Sequence, residues 1–295
     1  MKKYFVISDI HGFYSVLKKE LKKVGFYINN PEHILIVCGD IFDRGKQPLQ
    51  IYKFLKSLPK ERRILIRGNH EYLLRDLVER TYPLFHDIHN GTYDTLCYIS
   101  KQLTNEQFEN QTFKIMYNDD KYNDWDNYMQ LLHEREEENL KRLKKIFNNK
   151  KVKEILNWIF SDEWINYYET DKYIFVHAWF PMIGNQGYRV YYKALEYDNN
   201  WRNADSEKWE EASWGCPIDY YLNGHNKTGK TIVCGHWHTS DFWNNLDYEK
   251  DLNKKLSTYN CPLYKSDKFT DLIGLDACTV VSKKINVLVL NENEV

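Results

Sequence analysis

The sequence of 295 residues has no Cys-x-x-Cys pair and no apolar run near the roughly 20 residues a membrane span needs; nor does either charge predominate. Its six cysteines, Cys38, Cys97, Cys216, Cys234, Cys261 and Cys278, are scattered, and two sit in apolar runs as Val-Cys-Gly. Buried, reduced thiols are therefore expected rather than a disulfide frame or a zinc knuckle. Lys plus Arg number 41 against 42 Asp plus Glu, a net charge of -1 that gives no global reason to bind nucleic acid or an anionic membrane. The start Met-Lys-Lys, with only Tyr4–Ile7 apolar behind it, is too short for a secretory signal, so a cytoplasmic chain is expected. There is no Gly-x-Ser-x-Gly elbow, which removes one usual motif for a covalent nucleophile. No repeat or low-complexity tract occurs, and the length suits one large domain, 1–295, carrying an insertion.

What is present begins as a regular alternation. Apolar runs at Tyr4–Ser8, Ile34–Cys38 and Ile64–Ile66 are separated by helical patterns at Tyr14–Val24 and Leu49–Leu58, which predicts βαβαβ. Runs without polar alternation suit parallel strands covered on both faces. From about residue 80 to 172 the chain turns polar and helical and is expected to form an inserted helical cap; its charge-dense run His133–Lys145 reads as a solvated amphipathic helix. Strand patterns return at Tyr173–Phe180, Thr231–His238, Leu272–Val281 and Ile285–Leu290, the last two expected as a β-hairpin around Ser282-Lys283-Lys284. The fold class expected is α/β, two sheets packed as a sandwich with helices outside.

Each of the first three strand patterns runs into a polar cluster: Ser8–Gly12, Gly39–Gly45 and Arg67–Glu71. Carboxyl ends of parallel strands share one edge, so these clusters converge. The spacings agree, with 31 positions from Asp9 to Asp40 and 29 from Asp40 to Asn69, one strand-plus-helix unit each. Together with the ends of the later strands they bring Asp9, His11, Asp40, Asn69, His177 and His236 to one edge, with His238 as a further candidate. Carboxylates, imidazoles and an amide suit divalent Mn, Fe, Zn, Co or Ni better than an all-oxygen or thiolate set would. Seven donors are too many for one ion with an open position, so two ions with Asp40 as the shared ligand are expected. Such a pair lowers the pKa of a bridging water and aligns a phosphoryl group for in-line attack. His70, next to a proposed ligand, is placed to act as general acid, Asp43 to hold its other ring nitrogen, and Arg44 to clamp phosphate oxygens.

The order of these clusters resembles the calcineurin-like metallophosphoesterases, within them the phosphoprotein-phosphatase group. The resemblance is carried by Asp9-Ile10-His11-Gly12, Gly39-Asp40-Ile41-Phe42-Asp43-Arg44-Gly45, Ile66-Arg67-Gly68-Asn69-His70-Glu71, Val176-His177-Ala178 and Gly235-His236. It implies the four-layer α/β/β/α sandwich, a first metal on Asp9, His11 and Asp40, and a second on Asp40, Asn69, His177 and His236, with His238 able to complete the first shell. It also implies a phosphorylated substrate, either a phosphoprotein or a small phosphoester. Symmetrical dinucleoside polyphosphates are the alternative and phosphodiesters the second alternative. A second phosphate-binding arginine is expected between His177 and His236, where Arg189 and Arg202 are available and Arg202 is preferred. His-Ala-Trp departs from the family's His-Ala-Gly, placing Trp179 where it would narrow the pocket. The segment His89–Leu96 is similar to a loop of the bacterial branch. Trp201, Trp209 and Trp214 read as a packing set, with nucleobase stacking as the rarer alternative.

Overall fold

A computed structural model of the chain describes residues 1–102, 125–187, 190–247 and 255–295. The βαβαβ start is present as β1 (Lys3–Ile7), α1 (Tyr14–Lys23), β2 (His33–Cys38), α2 (Pro48–Ser57) and β3 (Arg63–Ile66), followed at once by α3 (Asn69–Arg80). Next come α4 (Phe85–His89), α5 (Thr92–Ser100), α6 (Trp125–Asn148), α7 (Lys150–Ile159) and the two-residue strand β4 (Trp164–Ile165). The first sheet runs β4-β3-β2-β1, all parallel, and continues beyond β1 with β12 (Leu288–Asn291), which pairs antiparallel.

The second sheet is built from β5 (Tyr168–Glu169), β6 (Tyr173–Phe175), β9 (Thr231–Cys234), β10 (Tyr264–Lys265) and β11 (Leu272–Gly274), in the order β10-β11-β9-β6-β5. Its inner pairs β6–β9 and β9–β11 are parallel. A small ribbon of β7 (Met182–Ile183) and β8 (Glu196–Tyr197) stands apart. Four short helices complete this half: α8 (Ser206–Ala212), α9 (Pro217–Leu222), α10 (Thr239–Phe242) and α11 (Thr279–Ser282).

Strand alternation assigns each face to a layer. Val6, Ile36 and Ile66 of the first sheet meet Phe175, Val233 and Ile273 of the second in a core between the sheets. Phe5, Ile7, Leu35 and Val37 point the other way, onto Leu17, Leu21, Ile51 and Leu55 of α1 and α2. Ile174, Ile232 and Leu272 pack outward against Trp201, Trp209 and Tyr220. The result is the expected α/β/β/α sandwich. Of the 80–172 stretch, Leu96 and Ile99 of α5, Leu143 and Ile146 of α6, and Ile155 and Ile159 of α7 join the core beneath the first sheet, so these helices extend the helical layer. The charged run shows its solvent side as an exposed Lys141–Glu137 pair at 3.7 Å.

The expected hairpin at Leu272–Leu290 does not form. β11 lies in the second sheet, and the chain then crosses to the first, where β12 pairs with β1. Asp276 Oδ1 accepts from the Cys278 N–H at 2.7 Å, starting a turn into α11. Leu288 and Leu290 pack between the sheets while Val287 and Val289 pack on the helical side. A segment apolar on both sides belongs inside the sandwich, not in an exposed hairpin.

Candidate active site

The strand-end loops turn sharply: φ is +50° at Asp9, +47° at His11, +55° at Asp40 and +65° at His236. A non-glycine residue pays roughly 1–3 kcal/mol for this left-handed region and keeps it only where the surroundings impose it. The loops impose it on each other, through Asp9 N–H to Gly39 C=O at 3.1 Å, His11 N–H to Asp40 C=O at 2.9 Å and Gly235 N–H to His177 C=O at 2.7 Å. Two glycines let side chains approach the backbone. A Cβ on Gly68 would lie 2.2 Å from Asp40 Oδ1, and one on Gly235 2.2 Å from Asp9 Oδ2.

Asp40 is the centre. Its Oδ2 is 3.7 Å from His11 Nε2 and 3.8 Å from His70 Nε2, and its Oδ1 is 3.3 Å from His177 Nε2. Ligand-type atoms form two groups, His11–Asp40–His70 and Asp40–His177–His236, each within 4.8 Å. Asp9 Oδ1 is 3.9 Å from His11 Nε2, and its Oδ2 accepts the His236 N–H at 3.1 Å. His177 Nδ1 donates to the Cys38 carbonyl at 2.9 Å, which leaves the Nε2 lone pair facing inward. That lone pair meets the Asn69 amide at 2.8 Å and His236 Nδ1 at 3.2 Å.

Burial pushes the Asp40 carboxyl up, but His177, His70, His11 and His236 around it outweigh that and hold it below the usual carboxylate range. Burial and neighbouring His177 pull His236 down to about 3, and burial pulls His11 well below its ordinary value. Imidazoles of His11 and His236 kept from protonation beside a carboxylate fit a divalent cation. Asn69 fits the same role with its oxygen inward; turned over, its NH2 would reach both Asp40 oxygens at 3.2 and 3.3 Å.

A different set surrounds His70. Its Nδ1 is 2.8 Å from Asp43 Oδ2, and Arg44 lies 3.3 Å from its Nε2. Burial lowers the imidazole, yet Asp40 and Asp43 overcome it and lift the pKa to about 9. Asp43 is clamped from α5, accepting from Thr92 Oγ1 at 2.6 Å and Thr95 Oγ1 at 2.8 Å. Sequence reasoning gave the threonines no role, although Thr92-x-x-Thr95 puts both hydroxyls one helical turn apart. Glu71 was missed too: its carboxylate accepts the N–H of Asp40 (3.0 Å), Ile41 (3.0 Å) and Gly68 (2.8 Å), tying two loops together.

These groups open into a cavity of about 260 Å³, also lined by Arg44, Asn90, Trp214, His238, Asp276 and Thr279. His238 Nε2 lies 3.9 Å from Asp276 Oδ2 and joins neither metal-type group. The structure does not bring Arg202 to the cavity: its guanidinium forks onto Glu169 at 2.6 and 2.7 Å, over the Trp201 ring. A nearby buried-edge carboxylate captured it. Arg189 lies outside the described residues. Trp179 does not narrow the pocket; it is buried, stacked on Tyr220 at 5.1 Å and 4°.

Two overlapping groups of metal-ligand-type side chains that share Asp40, on a four-layer sandwich, are what the fold and geometry bring together. The chain belongs to the calcineurin-like phosphoesterase family, whose sequence model matches residues 2–240. Likeness to particular proteins is local. A symmetrical bis(5'-nucleosyl)-tetraphosphatase of Buchnera aphidicola is 42% identical over 71 residues, 24% of each chain. An asymmetrical bis(5'-nucleosyl)-tetraphosphatase of Bacillus subtilis is 29% identical over 115 residues, 36% of this chain and 47% of the relative. The chain thus matches less than half the length of either. Among solved structures, a cold-active protein-tyrosine phosphatase of a Shewanella species aligns over 99% of this chain and 76% of its own, at 16% identity and a TM-score of 0.46. Among the described residues no helix is long and apolar enough to cross a membrane.

Proposed function

We propose that the protein is a dinuclear metal-dependent phosphoesterase. The observation that carries this reading is Asp40 standing between two imidazole groups in one cavity with His70 and Arg44. Asp9, His11 and Asp40 would hold one ion, and Asp40, Asn69, His177 and His236 the other, with His238 as the candidate to complete the first shell. Two divalent ions of the Mn, Fe, Zn, Co or Ni kind, when bound, supply Lewis acidity and a water of lowered pKa. The chain's own residues do the rest. Arg44 binds two phosphoryl oxygens as a planar fork. His70 carries its proton on Nε2, where Arg44 now borders it, and passes it to the departing oxygen. Asp43, fixed by Thr92 and Thr95, keeps the ring oriented and favours its charged form.

The substrate class supported by the named relatives is a dinucleoside polyphosphate. A phosphoprotein is the second reading, favoured by the Ile66–Glu71 hexapeptide. The six cysteines, unpaired and buried, support a reducing, cytoplasmic setting. Assay of the Mn-loaded chain on diadenosine tetraphosphate, a phosphoserine peptide and a phosphodiester tests this. Turnover abolished by a chelator and restored by Mn is expected; turnover indifferent to chelation would defeat the dinuclear reading.

A further inference from the structure

Trp201 and Trp209 are core residues, but Trp214 is 43% exposed. A large indole left half in water is informative for what it stands beside. Trp214 lines the same cavity as Asp40 and His70, and its ring centroid is 6.3 Å from that of His236, the planes at 88°. Its backbone is held by Trp214 N–H to Glu211 C=O at 3.2 Å and Gly215 N–H to Ala212 C=O at 3.3 Å. Gly215 lies against Tyr220, where a Cβ would sit 2.2 Å from a ring carbon. Tyr220 in turn stacks on Trp179. The tryptophan that departs from the family pattern therefore braces the loop that presents Trp214. A rigid aromatic surface loses little entropy when a ring lands on it.

A second observation lies across the chain. Thr279 is 1% exposed, lines this cavity with Cys278 and Val280, and its Oγ1 has no hydrogen-bond partner among the described residues. A buried hydroxyl without a partner is costly, and a ligand atom would relieve it. These residues lie beyond residue 240, where the family match ends. An indole, a short apolar wall and one unspent hydroxyl beside a phosphate-binding floor suit a planar heterocycle with polar edge atoms. An alkyl chain cannot stack, and a plain phenyl ring offers the hydroxyl nothing.

We propose that Trp214 is the stacking platform, and Thr279 the edge contact, for the nucleobase of a nucleoside phosphate whose phosphates lie against Arg44. This rests on the phosphoesterase reading and names its substrate class. The test compares the full Mn-loaded chain with Trp214→Ala, Trp214→Phe and Thr279→Val on diadenosine tetraphosphate, phenyl phosphate and glycerol phosphate. Base–aromatic stacking predicts that Trp214→Ala lowers the ratio of kcat/KM for the dinucleotide to that for glycerol phosphate about 10- to 100-fold, chiefly through KM. Trp214→Phe should keep most of that ratio, and Thr279→Val should lower it about fivefold. Metal content equal to wild type separates a lost platform from a collapsed ligand loop. Equal losses on all three substrates, or a phenyl phosphate loss as large as the dinucleotide's, overturn the proposal. If the wild type cleaves none of these substrates, the phosphoesterase reading fails alone, and AMP titration still decides the subsite. An AMP affinity, read by isothermal calorimetry, that weakens in Trp214→Ala and Thr279→Val supports it. AMP binding that neither variant alters, or no AMP binding, overturns it.

Discussion

His70 and His236 belong to different groups around the same carboxylate, and their surroundings drive them apart. Asp40 and, behind it, Asp43 overcome burial and hold His70 near pKa 9; burial and then the neighbouring His177 pull His236 down to about 3. One ring keeps a proton and the other keeps a lone pair. Cations bound at Asp40 would claim that carboxylate's charge, leaving Asp43 as the partner that sustains the His70 imidazolium. The comparison therefore separates an acid side, built by α3 and α5, from a metal side, built where the two sheets meet.

The largest effect should come from removing the acid alone. His70→Gln is expected to cut kcat on an alkyl phosphate by about 10²–10⁴ while leaving metal content intact, with a smaller loss on an aryl ester that departs unaided. Equal losses on the two esters would make His70 a phosphate-positioning group. Asp43→Asn should show a lesser loss of the same kind, and Thr92→Val with Thr95→Val a lesser one again, about tenfold in kcat with KM little changed. A double variant with wild-type kcat would show that Asp43 needs no clamp.

Glu71→Gln loosens the link between the two sides, because Glu71 ties the Asp40 loop of the metal side to the Gly68 loop that leads into His70. Weakening three buried backbone bonds should lower unfolding stability by about 1–3 kcal/mol in a urea titration. Unchanged stability would remove its structural role. The smallest effect belongs to Arg202, outside both sides. Arg202→Ala should leave kinetics unaltered and cost less than about 1 kcal/mol, as partly exposed pairs do. Hydrogen bonds from Arg202 and Lys230 outweigh burial and hold Glu169 at about 2 against an ordinary 4.5. A lowered folded pKa stabilises above the unfolded value, so this contribution is present above pH 4.5 and fades as pH falls toward 2. An acid melting profile that Arg202→Ala does not shift would contradict it.

Much of this site was legible because its logic is periodic. Continuous apolar runs of strand length, each closing on a polar cluster one βα unit from the last, place Asp9, His11, Asp40 and Asn69 on one edge before any coordinates exist. What escaped lacks such a period. Glu71, Thr92 and Thr95 act through backbone amides and through Asp43, contacts set by how helices sit on the sheet. Asp276 and Thr279 reach the cavity because the chain crosses between sheets, where a hairpin was expected from alternation alone. Position along the chain points to Arg202, but Glu169 of β5 takes its guanidinium. The motif points to Trp179 as a pocket residue, while burial against Tyr220 decides its place.

Whether one carboxylate serves both halves is decided by elemental analysis of Asp40→Asn beside wild type after Mn loading and desalting. Two ions per wild-type chain, and fewer than one per Asp40→Asn chain with activity lost in step, are expected. Two tightly held ions in Asp40→Asn would contradict it.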